Sequence, residues 1–280
     1  MISIGDRPIS AIGIGGAGWS LSDRVDDAQT VATIHAALDA GVRLIDTARA
    51  YTTLVDESHN EDVIARALAD HPLRSEVLVA TKGGHFRAGP ANFPFDGRPA
   101  TLREHCDASL RHLKVDRIGL YQLHHPDPRV PIEESVLALA ELRQQGKIAM
   151  IGVSNVSLSL LRRAQSVADI ASVQNQFSLF HREDSGVLAA CQQDKITYLA
   201  YSPLGGGRRV ADLTRSEAIR TIADAHDATP IQVALAWLRG AAGPVVPIVG
   251  TRRPEAIVEA IGAATIRLSS TEMAKLTQPD

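Results

Sequence analysis

The sequence predicts a single-domain (β/α)8 TIM barrel over residues 1–280, preceded by a short N-terminal hairpin. Three observations carry that prediction. Eight apolar, strand-like stretches centre near residues 11, 44, 79, 121, 151, 174, 198 and 247, each followed by a helical segment. Neither a linker nor a second run of strands divides them, and 280 residues is close to the ~250 typical of such barrels. Three of the strands end in an ionisable side chain, Asp46, Lys82 and His124, and a barrel gathers its working groups at that C-terminal face. A doubly wound open sheet is the competing fold. It is disfavoured because no Gly-x-Gly-x-x-Gly opens a helix; polar residues separate Gly13–Gly18 from the helix that follows.

In order, residues 2–8 turn at Gly5-Asp6 as the hairpin, and 9–15 form the first barrel strand. Gly15-Gly16-Ala17-Gly18 then reads as a flexible loop. Val31, Ile34 and Leu38 recur at helical spacing across 26–40, and Gly41 stops that helix. Strand 42–46 places Val42, Leu44 and Asp46 on one parity, hence on one face. A helix near 60–69, strand 76–82 and a Gly/Pro-rich loop at 83–99 follow. Helix 101–113, strand 117–124, the turn at His125-Pro126-Asp127-Pro128, helix 132–146 and strand 148–154 complete the first half. The second half runs helix 158–168, strand 171–176, helix 185–194 and strand 196–201. Helices near 215–226 and 230–240, strand 245–249, a helix begun by Pro254 and a short helix at 271–277 close the chain.

Composition narrows the function. An apolar fraction of 45% and a charged fraction of 22% are those of an ordinary globular protein. A net charge of −3 gives no global attraction for nucleic acid or an anionic membrane. Cys106 and Cys191 are too few for a disulfide framework and read as reduced core thiols. The sequence does not open on a basic start followed by a long apolar core, and no apolar run reaches ~18 residues, so a cytoplasmic location is expected and the sequon at Asn155 reads as incidental.

The strand ends make a coherent site. A carboxylate in line with apolar neighbours needs a cation, and Lys82 is placed to supply it. Lys82 beside the phenol of Tyr51 favours phenolate and lowers its pKa, making a usable general acid. His124 adds a donor or relay to the same oxygen. The structural alternative is an ion pair beside a satisfied core histidine.

Several stretches together resemble the aldo-keto reductase family: Leu44-Ile45-Asp46-Thr47-Ala48 with Tyr51, Ala80-Thr81-Lys82, Leu120-Tyr121-Gln122-Leu123-His124, Gly152-Val153-Ser154-Asn155, Gln174, Tyr201-Ser202-Pro203-Leu204-Gly205 and Pro247 to Pro254. The resemblance runs through all eight strands in order. It implies an NADPH-dependent reductase of aldehydes or ketones, with Tyr51 as proton donor supported by Asp46, Lys82 and His124. Ser154, Asn155 and Gln174 match residues that bond the nicotinamide carboxamide, and Tyr201 matches the ring stacked on the nicotinamide. Ser202, Leu204 and Gly205 match the loop over the pyrophosphate, and Thr251 and Arg252 the region meeting the 2′-phosphate. Gly16, after the first strand, is counted with the cofactor contacts. Three departures stand out: Arg49-Ala50 replaces the usual small-residue spacing, Gly250-Thr251 stands where one branch has Lys-Ser, and Ala256 replaces a later arginine.

Other signals have their own readings. His124-His125 suggests a metal-dependent hydrolase only with further inward ligands; none is found, Lys82 would repel the ion, and no metal is expected. A nucleotide-binding redox-sensing or regulatory barrel with slow turnover is the other alternative. Gly205–Gly207 with Arg208 and Arg209 either cradle a phosphate or form a mobile loop. Trp19, Phe86, Phe93 and Phe95 wall a substrate pocket or cap the face, and Arg182, Glu183 and Asp184 read as a solvated helix start. The expected partner is a small carbonyl compound, aromatic or medium-chain rather than a short sugar. Substrate identity depends on the loops at 16–25, 52–58, 83–99 and 125–131, and oligomeric state is left open.

Overall fold

The computed structural model describes residues 2–21, 24–207, 209–241 and 243–277. Strands β1 (Ile2–Ile4) and β2 (Arg7–Ile9) pair antiparallel as the hairpin. The barrel strands are β3 (Gly13–Gly15), β4 (Leu44–Asp46), β5 (Leu78–Gly83), β6 (Ile118–Leu123), β7 (Ile148–Ser154), β8 (Ser172–Gln176), β9 (Thr197–Tyr201) and β10 (Val245–Gly250). They run parallel in chain order, and β10 pairs with β3 to close the barrel. Between them lie α1 (Ala17–Ser20), α2 (Asp27–Asp39), α3 (His59–Ala69), α4 (Pro99–Leu113), α5 (Ile132–Gln144), α6 (Leu158–Gln165) and α7 (Ser185–Gln193). Helices α8 (Val210–Arg215), α9 (Glu217–Ala225) and α10 (Pro230–Ala241) precede β10; α11 (Pro254–Ile261) and α12 (Ser270–Thr277) follow it.

Local chemistry accounts for the element ends. Asp26 caps α2 by accepting from the Gln29 N–H at 2.9 Å. Pro99 and Pro254 open α4 and α11, where a missing N–H costs nothing. Three expectations are corrected. Ile9 ends the hairpin, because its pairing with Ile2 competes with extension of the first barrel strand. Residues 17–20 form a short helix rather than a loop, and residues 210–215, expected within a loop, form α8, which stops where Ser216 caps the expected helix, α9.

Inward parity then orders the barrel interior from bottom to top. Ile4 and Ile9 of the hairpin plug the base against Leu44, Leu78, Ala80, Leu120, Leu199, Val246 and Ile248. Val42 precedes β4 and joins the outer core between strands and helices instead. One pleat repeat further along, the same parity turns polar: Asp46, Lys82, Gln122 and Gln174 are buried. Thus an apolar lower barrel carries a polar upper layer. No described helix is long and apolar enough to cross a membrane.

Candidate active site

Asp46 and Lys82 come from adjacent strands but are not level, since Asp46 pairs with Ala80. The longer lysine reaches back. Its Nζ lies 2.8 and 2.7 Å from the two carboxylate oxygens and 2.8 Å from the Thr47 carbonyl, which accounts for its three N–H groups. Gln174 Nε2 donates to Asp46 Oδ1 at 2.8 Å from the far side of the barrel. Lys82 is fully buried and Asp46 is 3% exposed, so water does little to weaken this pair.

The chain after Asp46 continues to follow β5. Thr47 N–H donates to Ala80 O at 2.8 Å, Arg49 N–H to Lys82 O at 3.1 Å, and Tyr51 N–H to Ala48 O at 3.0 Å. This curl brings the Tyr51 ring over Lys82, with Nζ 5.1 Å from its centroid. The His124 ring lies edge-on to Tyr51 at 5.7 Å. The four residues expected to act together are therefore adjacent.

Their protonation follows from burial. Desolvation raises the Tyr51 phenol above its ordinary value; the Lys82 charge pulls it down and Asp46 pushes it up. The expected lowering by Lys82 is present but outweighed, and the phenol is protonated at neutral pH. Burial also works against the Lys82 ammonium, yet Asp46 and Tyr51 together raise its pKa. Desolvation, then Lys82, His85 and His125, hold His124 well below the usual histidine range, so it is neutral.

Above them opens a cavity of about 650 Å³, within the usual range for small-molecule sites. Asp46, Tyr51, His124, Ser154, Asn155, Gln174, Tyr201, Ser202 and Leu204 all line it. Gly16 and Gly205 do not, although Gly15, Ala17, Gly206 and Gly207 do. A side chain at Gly16 would meet Asn60 Oδ1 at 2.6 Å, and Asn60 also donates to the Gly16 carbonyl; that glycine is fixed by packing against α3. The amide of Asn155 is spent on its neighbours: Nδ2 donates to His124 O and Ser154 Oγ, and Oδ1 accepts from the Tyr201 hydroxyl at 2.8 Å. Thr251 and Arg252 lie beyond Gly250, outside the lining. The Thr251 carbonyl accepts from Trp19 Nε1, the Arg252 carbonyl from Thr33, and the Arg252 guanidinium donates to Arg24 O at 3.1 Å.

Of the aromatic candidates, Phe93 and Phe95 line the cavity. Phe86 stands outside it against His105, and Trp19 is 1% exposed, packed inside the fold. Arg209 stacks over Phe180 and pairs with Asp212, while Arg208 lies outside the described residues. Asp184 is no solvated helix start: it accepts from Asn175 and from the Tyr198 hydroxyl at 2.7 and 2.6 Å.

Two features of the site escaped the sequence reading. His85 lines the cavity, packs at 4.7 Å against His124 and bonds the Phe93 carbonyl through Nε2 at 2.8 Å. A carbonyl only accepts, so that nitrogen carries the proton. The second is a buried pair, Arg49 and Glu61, 3.7 Å apart beneath the Tyr51 loop. Glu61 also accepts from Thr81 at 2.8 Å. Its signal was present: Glu61, Ile64 and Leu68 share one helical face, so an acid stands on the apolar side of α3.

Comparison with known proteins bears on this geometry. Residues 11–280 match the model of the Aldo/keto reductase family. An uncharacterized oxidoreductase of Schizosaccharomyces pombe is 31% identical, over 99% of this chain and 89% of its own. The structure of a glycerol dehydrogenase from Gluconobacter oxydans superposes with a TM-score of 0.84 at 29% identity, covering 100% of this chain and 96% of that one. An aldo/keto reductase from Klebsiella pneumoniae, solved with NADP and acetate, gives 0.82 at 30% identity, covering 96% and 90%. A match over nearly the whole chain, with the same eight-stranded barrel, leaves one conclusion: this protein belongs to the aldo/keto reductase family.

Proposed function

We propose that the protein is an NADPH-dependent carbonyl reductase in which Tyr51 protonates the carbonyl oxygen. The observation that carries this reading is the convergence of a protonated phenol and a neutral imidazole on the cavity wall with the buried Lys82 ammonium, outside the lining, 5.1 Å from the centre of the phenol ring. When bound, NADPH supplies the hydride that reaches the carbonyl carbon. The residues present fit its nicotinamide end. Gln174 has its N–H on Asp46, which leaves its carbonyl oxygen as an acceptor, and Ser154, accepting from Asn155, keeps its own hydroxyl proton to donate. One acceptor and one donor are the complement of a primary amide. The bond from Tyr201 to Asn155 fixes the tyrosine ring as a wall of the same cavity. The Klebsiella relative solved with NADP supports the choice of cofactor.

The chain's own groups then divide the work. Tyr51 gives its proton as negative charge grows on the substrate oxygen, a contribution of roughly 10²–10⁴-fold. Lys82, held charged by Asp46, stabilises the phenolate left behind; with its N–H groups engaged, it acts through charge. Neutral His124 donates an N–H toward the same oxygen. Phe93, Phe95, Leu204 and Val210 give the substrate apolar walls, with His85 and His125 as the polar exceptions.

Measuring NADPH consumption across a panel of carbonyls tests the reading. Aromatic and medium-chain aldehydes should show higher kcat/KM than open-chain sugars. Tight NADPH binding without turnover of any panel member would contradict it.

A further inference from the structure

The base of the barrel carries a second cavity, also of about 650 Å³, at the end opposite Tyr51. It lies where β5, β6 and β7 begin, under the hairpin and beside the C-terminal ends of α3 and α4. Leu68, Val79, Val115 and Ile118 supply the apolar part of its lining. Three arginines from separate segments surround it: Arg7 on β2, Arg74 in the turn before β5, and Arg117 just before β6. Among the described residues, Asp6 is the single carboxylate that lines it.

The charge there is unmatched. Arg98 and Arg163, also exposed, each hold a carboxylate, Asp96 at 2.6 Å and Glu133 at 2.7 Å. Among the described residues, Arg74 and Arg117 make no ion pair and no side-chain hydrogen bond, and Arg7 donates only to the Ser75 carbonyl. Glu76, the acid nearest Arg74 in sequence, is taken by Arg43 at 2.9 Å. A chain of net charge −3 thus gathers three arginines around one hollow. A cavity of this size that joins apolar side chains to a few charged groups is the usual form of a small-molecule site, and the guanidinium fork matches carboxylate and phosphate oxygens.

We propose that this cavity binds an amphipathic organic anion, a carboxylate or phosphate monoester on an apolar body of medium length. The body lies against Val79, Val115 and Ile118, and the anionic head meets Arg74 and Arg117. The site is separate from the catalytic face and does not depend on the reaction assigned there.

The cavity above Tyr51 has the same volume, about 650 Å³, so the test must read position. The NADPH-loaded protein is photolabelled with a diazirine analogue of decanoate, and the labelled peptides are mapped. Label is expected within residues 65–79 and 113–119, competed by decanoate and decyl phosphate but not by decanol or inorganic phosphate. Retained competition by only one of the two anions identifies the preferred head group. The double variant Arg74→Gln/Arg117→Gln should weaken decanoate binding by about tenfold or more, with melting temperature and NADPH affinity unchanged. Both side chains are exposed, so folding is not at risk; Val115→Trp, which fills the hollow, should remove the label independently. Label confined to peptides carrying Phe93, Phe95 or His125, absence of label at the base, equal competition by decanol, or wild-type affinity in the double variant would each overturn the proposal.

Discussion

Two groups of charged residues stand at the C-terminal end of the barrel, and the protein holds them in opposite ways. Asp46 and Lys82 are buried, and four hydrogen bonds from β4, β5 and β8 and the Thr47 carbonyl define where they sit. Arg252 and Arg253 are exposed beyond β10; one reaches the Arg24 carbonyl and the other Glu255 at 3.3 Å. The first group is over-determined because an unpaired charge in that layer would be very costly. The second is free to reorient, and its partners compete with any ligand. A buried charge therefore states its role through its neighbours, whereas an exposed one waits for something to bind.

The largest effect is expected from breaking the buried pair. Lys82→Met leaves Asp46 without its cation, at a cost of about 3–5 kcal/mol, and removes the charge that stabilises the phenolate. Thermal melting and steady-state kinetics should show a clear loss of stability and at least ~10²-fold lower turnover. A variant as stable and active as wild type would detach Lys82 from the site.

Acid should expose the next effect. Desolvation holds His124, His85 and His105 below the ordinary histidine value, His105 at about 4. Folded, these imidazoles are neutral; unfolded, they take up protons below about pH 6.5. Stability is then constant above that pH and falls as pH drops from about 6.5 toward the folded values. Denaturant midpoints measured from pH 8 to 4.5 should show this decline, and a profile flat to pH 5 would mean the histidines are not buried as described.

The smallest effect belongs to the exposed group. If Arg252 reads the 2′-phosphate, a guanidinium contact is worth about tenfold. Arg252→Ala should raise KM for NADPH by that factor, leave NADH unchanged, and lose the difference as salt is added. Equal loss of both cofactors would show that the residues after β10 do not distinguish them.

The same contrast explains how much could be read from the sequence. Asp46, Lys82 and His124 were readable because each ends an apolar strand on its inward parity, and eight such alternations leave few folds. Tyr51 was harder: its place depends on the loop following β5 through Arg49 and Thr47, a course no periodicity encodes. Trp19 was misplaced because the bond to the Thr251 carbonyl spans 232 positions. Asp184 was misread for a related reason, since Asn175 and Tyr198 reach it from neighbouring strands. Residues fixed by strand parity were accessible to pattern; residues fixed by one long-range side-chain bond were not.

Tyr51→Phe shows whether Tyr51 is the proton donor. The ring stays and only the hydroxyl goes, so the loss should fall on the transition state alone. Single-turnover rate and NADPH dissociation constant should be measured on one preparation. The rate should fall by roughly 10²–10⁴-fold with NADPH affinity close to wild type. A rate that retains more than about half of the wild-type value would contradict it, because general acid catalysis at this position would then contribute almost nothing.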